Sequence, residues 1–281
     1  MTDNQLALTR AVASVLSSRP CGVALDIDGT ISPIAPDPGS ARVSPLCLQH
    51  MAALVGQMKL VAVVSGRPVL MARDMVGLEG VEYVGCHGLE RLRGGQVLVA
   101  PEARHFQSQV REISALLSER LSGKPETVGL LVEDKTISTT FHYRNCRDPE
   151  LARSAILDAL EGMGQPQGLK IMHGRRAVEL LPDIAVDKGT AVLSLIREFG
   201  LRGFLYAGDD QTDVAAFRAV RRWQTETGGR GLALAVSGPD TSEEVRQEAG
   251  FTVSGVAGVE TFLGLIVRLF TGKPSVLRPS Q

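Results

Sequence analysis

The stretch Val23-Ala24-Leu25-Asp26-Ile27-Asp28-Gly29-Thr30 decides the reading of this 281-residue chain. An apolar run ends abruptly in two carboxylates one residue apart, followed by Gly and Thr. A short apolar run closed by a Gly-Thr turn suits a buried strand of a parallel sheet, and open α/β sheets bind ligands just beyond the carboxyl ends of their strands. Two acidic side chains at such a place need a cation or a reaction. A calcium loop is the other reading, because Asp-x-Asp-x-Thr copies the first ligands of an EF-hand. That loop needs Gly at its sixth position and Glu at its twelfth. The chain has Ile31 and Asp37 there, behind a strand-like segment. The pair therefore reads as a nucleophile and its companion at a strand end.

Three further segments belong with this one: Ser65-Gly66-Arg67 after the apolar run 61–64, Lys188, and Gly208-Asp209-Asp210-Gln211-Thr212-Asp213 after the apolar run 204–207. In this order the four resemble the motifs of the haloacid dehalogenase (HAD) superfamily of phosphohydrolases. Between the second and third lie Tyr83-Val84-Gly85-Cys86-His87-Gly88-Leu89-Glu90, Val132-Glu133-Asp134-Lys135, Phe141-His142-Tyr143-Arg144 and Gly174-Arg175-Arg176-Ala177-Val178-Glu179-Leu180. These are similar to the signature of trehalose-6-phosphate phosphatases. The resemblance spans nearly the whole chain, leaving out about 20 residues at the start and about 10 at the end, within the usual uncertainty of boundaries.

Composition is compatible with this and adds little. The length exceeds that at which a single core stops growing, so one large or two smaller domains are expected. A formal net charge of -1 gives no reason to expect nucleic acid or an anionic membrane as partner. Cys21, Cys47, Cys86 and Cys146 are scattered without a Cys-x-x-Cys pair, so neither a zinc site nor a disulfide framework is suggested, and reduced, buried thiols are expected. The first residues lack a basic segment followed by an apolar one, and no apolar run approaches bilayer length. A cytoplasmic monomer is the expectation.

Along the chain, strand-like and helix-like segments alternate, the pattern of a parallel sheet covered by helices. Helices are expected over 6–16 and from about 45 to 58, and strands ending at Asp26, over 60–64 and over 81–85. Four prolines from Ser32 to Pro45 inclusive (Pro33, Pro36, Pro38 and Pro45) make that stretch irregular and a rim for the carboxylates. From about residue 100 the pattern changes to a long helix (101–121), β-rich runs at 128–132 and 136–143, a helix (148–162), and β-rich runs at 169–172 and 176–181. Two helices and four strands in that order suggest a small α+β module. The alternation then resumes with a helix 188–199, a strand 204–207, a helix after Asp210, a strand 231–236 and an amphipathic helix 256–270. The pattern gives an α/β fold, and the resemblance implies a HAD-like Rossmannoid core with a parallel sheet (1–103 and 186–281) and an inserted α+β cap (104–185) that sets substrate specificity.

The resemblance implies a role for each motif, and each role has a chemical reason. Phosphate monoesters hydrolyse extremely slowly in water, so a catalyst must neutralise charge and replace water as the attacker. Asp26 would attack phosphorus to give an aspartyl-phosphate. Asp28 would protonate the departing sugar oxygen, then deprotonate the water that hydrolyses the intermediate. Mg²⁺ prefers hard oxygen ligands, and the family supplies them from Asp26, the backbone carbonyl of Asp28, and Asp209. Asp210 and Asp213 would orient those ligands. Gly29, Thr30, Ser65 and Gly66 would hold the phosphoryl oxygens, and Lys188 would offset the negative charges. Glu133, Lys135, His142, Arg144 and Glu179, polar residues within the β-rich runs of the cap, would read sugar hydroxyls, with Arg67 and His87 as secondary contacts facing the cap.

Other readings compete. Ser65 suits a helix N-cap, Lys188 a surface position, Asp210 the cap of the next helix, and the polar cap residues a solvated strand face. At the level of function, the rivals to a trehalose-6-phosphate phosphatase are a phosphatase for sucrose phosphate or a glycosyl-phosphoglycerate, a phosphomutase, and a non-catalytic sugar-phosphate sensor. Intact Asp26 and Asp28 speak against the sensor. One departure stands out: the family's last motif commonly continues with Glu where this chain has Val214, which puts typical polarity around the metal in doubt.

Overall fold

The structure, a computed structural model, describes residues 3–164, 167–174, 176–239 and 241–272. Arg175 of the Gly-Arg-Arg segment lies outside the described residues. The chain divides into two compact units, Met1–Val97 with Val186–Gln281, and Leu98–Ala185. In chain order the first pass runs α1 (Asp3–Ser17), β1 (Cys21–Leu25), α2 (Pro45–Leu54), β2 (Leu60–Val64), α3 (Val69–Val76), β3 (Glu82–Gly85), β4 (Glu90–Arg93) and β5 (Gln96–Val99). The inserted unit holds α4 (Gln107–Leu121), β6 (Leu131–Asp134), β7 (Thr139–His142), α5 (Pro149–Glu161), β8 (Leu169–Gly174) and β9 (Ala177–Pro182). The chain returns with α6 (Lys188–Glu198), β10 (Gly203–Gly208), α7 (Gln211–Thr227), β11 (Arg230–Ser237), α8 (Glu243–Glu248), β12 (Phe251–Ser254) and α9 (Gly255–Thr271).

The large sheet has the order β12-β11-β10-β1-β2-β3-β4-β5. From β12 to β3 every neighbouring pair is parallel, and β4 turns back antiparallel on β3. Central strands carry no polar alternation because both faces are covered. Val23, Leu25, Val61, Val63 and Leu205 pack into one core with α1, α2 and α9. Ala24, Ala62, Val64, Phe204 and Tyr206 pack into the other with α6 and α7. That double burial, worth roughly 1.5–3 kcal/mol per large side chain, seats β1 at the middle and points its carboxyl end out of the sheet.

Helix ends follow local chemistry. Ser44 accepts the amide hydrogens of Leu46 and Cys47, with Pro45 at the first helical position, so α2 starts there. It stops at Leu54, earlier than the expected 58, where Val55 and Gly56 leave the helical region and Gly56 takes φ +75°. Pro101–Phe106 is a 3₁₀ segment before α4 instead of part of one long helix. Between Ser32 and Ser44 only one 3₁₀ turn, Pro38–Ser40, interrupts irregular chain.

In the inserted unit, an antiparallel sheet in the order β6-β7-β9-β8 buries Phe141, Val178 and Leu180 against Leu117 and Leu121 of α4 and Ile156 and Leu160 of α5. By the period-two rule the opposite face carries Glu133, Thr140 and Glu179, aligned across three strands by their register, with His142 beside them.

Candidate functional site

The carboxyl ends of β1, β2 and β10 bring the core motifs together. Asp26 follows β1, donates its amide hydrogen to the Ala207 carbonyl at 2.9 Å, and is 4% exposed. After it the chain reverses: the amides of Thr30, Ile31 and Ser32 all donate to the Ile27 carbonyl, and the Gly29 amide donates to Ser32. Gly29 takes φ +79°, and a Cβ there would lie 1.9 Å from Asp209 Oδ2. Only glycine satisfies both the backbone and the close approach of the Asp209 carboxylate. The reversal leaves the Thr30 hydroxyl buried without a hydrogen-bond partner among the described residues.

Asp213 organises the second half of the site. Its Oδ2 accepts the amide hydrogens of Asp209 and Asp210, each at 3.0 Å, while its Oδ1 accepts Lys188 Nζ at 2.7 Å and the Tyr206 hydroxyl at 2.6 Å. Gly208 admits this carboxylate, since a Cβ there would stand 2.2 Å from its carbon. Lys188, at the first position of α6, is 2% exposed and reaches Asp26 Oδ1 at 3.1 Å as well as Asp213. It is no surface lysine. Burial works against its charge, yet the carboxylates of Asp213 and Asp26 outweigh that and raise its pKa further. Burial pushes Asp26 up to about 7 even against Lys188, with Asp213 and Asp28 adding to the rise. Burial and Asp213 together hold the Tyr206 hydroxyl well above its ordinary value, so it stays a donor.

Three carboxylates, Asp26, Asp209 and Asp213, present oxygens within 4.8 Å of one another, all buried. A hard divalent cation fits such a donor set. The Asp213 oxygens already accept four hydrogen bonds, so Asp26 and Asp209 are the better ligands and Asp213 supports them. Asp210 is the N-cap of α7. Val214 is buried in the apolar core beneath, so no polar group replaces the Glu of the family pattern.

Ser65 follows β2, and its amide hydrogen bonds to Val84. It does not cap α3, whose N-cap is Pro68. Arg67 forks onto Asp28, Nε to Oδ2 at 2.6 Å and Nη2 to Oδ1 at 2.7 Å, and its third nitrogen donates to the Pro38 carbonyl at 2.9 Å. It therefore engages the carboxylate pair itself, within its own unit. His87, in the left-handed region at φ +58°, donates its amide hydrogen to the Ser65 carbonyl. Its ring closes over Gly66, where a Cβ would come 2.5 Å from Cε1.

On the polar face of the inserted unit, Lys135 Nζ and the Ser138 hydroxyl both donate to Glu179 Oε1, at 3.2 and 2.6 Å. His142 Nε2 lies 2.9 Å from Glu133 Oε2. Arg144 stands half-buried in the turn after β7. Sequence reasoning missed Ser138 and Tyr206. Ser138 was detectable by alternation with Thr140 and Tyr206 as the one polar side chain in its strand, but neither shows its partner without the fold. All four cysteines are buried. Among the described residues no helix is long and apolar enough to cross a membrane.

The sheet order, the Asp pair after β1 and the acidic loop after β10 define a HAD-superfamily fold, and solved structures of that superfamily share it. The trehalose-phosphatase family model matches residues 24–248, and the chain belongs to that family. It is 30% identical over 276 residues, 94% of its length, to a trehalose-phosphate phosphatase of Mycobacterium bovis, of which the match covers 65%. It is 36% identical over 222 residues, 74% of its length, to a Mycobacterium tuberculosis protein described as an uncharacterized glycosyl hydrolase, of which the match covers 16%. The chain thus spans less than two thirds of the length of these relatives. The C-terminal domain of a C. albicans trehalose-6-phosphate phosphatase superposes with a TM-score of 0.75 at 23% identity, over 94% of this chain and 96% of that one.

Proposed function

We propose that the chain hydrolyses trehalose 6-phosphate to trehalose and phosphate, through an aspartyl-phosphate on Asp26 and with Mg²⁺. The observation that carries this reading is the contact of Lys188 with Asp26 at 3.1 Å in a buried site that also holds Asp209 and Asp213. Lys188 keeps one Asp26 oxygen occupied, so the other is presented as nucleophile. The Thr30 hydroxyl, Ser65 and the amides of the 29–32 reversal supply donors for phosphoryl oxygens. Asp28, placed by Arg67, frees one oxygen from the guanidinium fork to carry the proton that it gives to the leaving sugar oxygen, and then takes one from the attacking water. Mg²⁺ held by Asp26, Asp209 and the Asp28 carbonyl would neutralise phosphate charge.

The trehalose assignment rests on family membership, supported by the polar face bearing Glu133, Lys135, His142 and Glu179 in the inserted unit, which acts as a cap reading sugar hydroxyls. A phosphatase for another sugar phosphate would share the core and differ there. Phosphate release from trehalose 6-phosphate, sucrose 6-phosphate, glucose 6-phosphate and glucosyl-phosphoglycerate, each with Mg²⁺ and with excess chelator, tests the reading. Trehalose 6-phosphate should be preferred by at least about tenfold in kcat/KM. A preference for sucrose 6-phosphate would replace the substrate, and full activity in chelator would remove the metal.

A further inference from the structure

At the end of the large sheet opposite Asp26, where the strands begin, the core unit carries a cleft of about 680 Å³. That is the size of a small-ligand site. Arg19, Arg197, Arg202 and Arg230 line it, all exposed, and none has an ion-pair partner among the described residues. Elsewhere on this unit several arginines are matched to acids, Arg91 and Arg93 to Glu198 and Arg218 and Arg221 to Glu248, while Arg10, Arg42 and Arg268 have no ion pair among the described residues. In a chain of net charge -1, four guanidinium groups without a carboxylate partner gather around one concavity, one of them, Arg19, lying over the Phe270 ring at 4.3 Å.

Topology puts them there. Arg19 and Arg202 stand just before β1 and β10 and Arg230 opens β11, three adjacent strands whose starts are stitched together: the Arg202 amide donates to the Pro20 carbonyl at 2.7 Å and the Arg230 amide to the Arg202 carbonyl at 2.8 Å. Arg197 comes from the last turn of α6. Arginines in such places also balance helix C-termini, and α1, α6 and α7 all end at this cleft. Each terminus counts for roughly half a negative charge. Three of them do not neutralise four arginines, and the one acid in the lining, Glu226, already faces Arg222 at 3.8 Å. The surplus is positive, and its guanidinium forks match phosphate oxygens in pairs. A cleft of about 680 Å³ suits a compact ion better than a long polymer.

We propose that this cleft binds a small oligophosphate anion, either inorganic or the phosphate chain of a nucleotide. Trp223, the only tryptophan in the chain, is buried in its wall beneath Gly229, where a Cβ would meet the indole at 2.3 Å. The site therefore has its own reporter. Tripolyphosphate, ATP, AMP and sulfate are titrated into the full chain without Mg²⁺ at constant ionic strength, read by Trp223 fluorescence and by calorimetry. Tripolyphosphate should saturate below about 1 mM, with AMP and sulfate far weaker. R197Q and R230Q should each weaken it, and together by at least about tenfold, while phosphate release without added anion stays within about twofold of the parent. ATP equal to tripolyphosphate assigns recognition to the phosphate chain, and ATP binding tighter extends it to the nucleoside. Sulfate matching tripolyphosphate, no binding by either method, or affinity unchanged in the folded variants would overturn the proposal.

Discussion

Arg67 and Asp28 are joined by two parallel hydrogen bonds of 2.6 and 2.7 Å, with the arginine itself anchored to the Pro38 carbonyl in the proline-rich stretch. A planar fork holds a carboxylate in orientation as well as in place. If Asp28 serves as general acid, Arg67 is its positioning residue, and the effect of removing it depends on the leaving group. R67A should lower kcat on phenyl phosphate by about 10- to 100-fold, while p-nitrophenyl phosphate, whose leaving group needs little protonation, falls much less. R67K should restore only part, because an ammonium cannot fork. Equal losses on both esters would assign Arg67 to substrate binding instead.

Asp26→Asn should abolish turnover, because an amide cannot form the acyl-phosphate, and Asp28→Asn should lose at least about 100-fold. Both variants should keep a cooperative thermal transition. Near-normal phosphate release by Asp26→Asn would refute covalent catalysis.

Metal binding and pH should be linked through Asp26. Its folded pKa, pushed up to about 7 by burial, lies above the ordinary carboxylate value. Without a cation the folded chain therefore takes up a proton at Asp26 between about pH 4 and 7, and this group's contribution to stability falls as pH rises through that window. A divalent cation needs the ionised carboxylate and competes with the proton. The gain in Tm on adding Mg²⁺ should be larger at pH 8 than at pH 6, with Ca²⁺ a poor substitute for activity because of its looser shell. A pH-independent gain would separate the metal from Asp26.

Lys188 is predicted to matter for folding as much as for chemistry. Lys188→Met leaves the carboxylates of Asp26 and Asp213 buried without their cation, a change expected to cost about 3–5 kcal/mol. Tyr206→Phe removes one of four hydrogen bonds to Asp213 and should cost about 1–2 kcal/mol. Urea denaturation of the metal-free proteins separates the two. Comparable losses would mean that the charge pairing contributes little.

What the sequence conveyed, and what it withheld, follows from period and locality. The core strands were legible because burial on both faces makes them apolar runs: Leu60–Val64 lies where the sequence places it, and β1 ends at Leu25, next to Asp26. The β4–β5 hairpin was not, since Glu90-Arg91-Leu92-Arg93 is mostly polar, although its Gly94-Gly95 turn is a hairpin signal. Nor was α3, which starts after Pro68 without a side-chain cap. In the site, the motif residues could be chosen by their place at strand ends. Their partnerships could not: the Arg67 fork spans 39 residues and the Lys188–Asp213 contact 25, distances at which no local pattern reports a pairing.

The polar face of the inserted unit supplies the test of which sugar phosphate is the substrate. Glu179 is buried and receives both Lys135 and Ser138 on one oxygen, a geometry that orients its other oxygen and leaves the lysine partly committed. If this cluster reads the sugar, Glu133, Lys135, Arg144 or Glu179 changed to alanine should lower kcat/KM for trehalose 6-phosphate. Each lost hydrogen bond to a sugar hydroxyl is worth about 1–3 kcal/mol, roughly five- to a hundredfold. S138A should have a smaller effect of the same kind, since it acts through Glu179. A simple aryl phosphate, having no sugar, should be hydrolysed about equally by parent and variants, whereas D28N should damage both substrates. Because E179A also removes a buried partner of Lys135, its Tm is measured alongside, and E179Q, which keeps the shape, must show the same substrate selectivity. Parallel loss on both substrates in all four alanine variants would remove the cluster from sugar recognition and leave it a structural network.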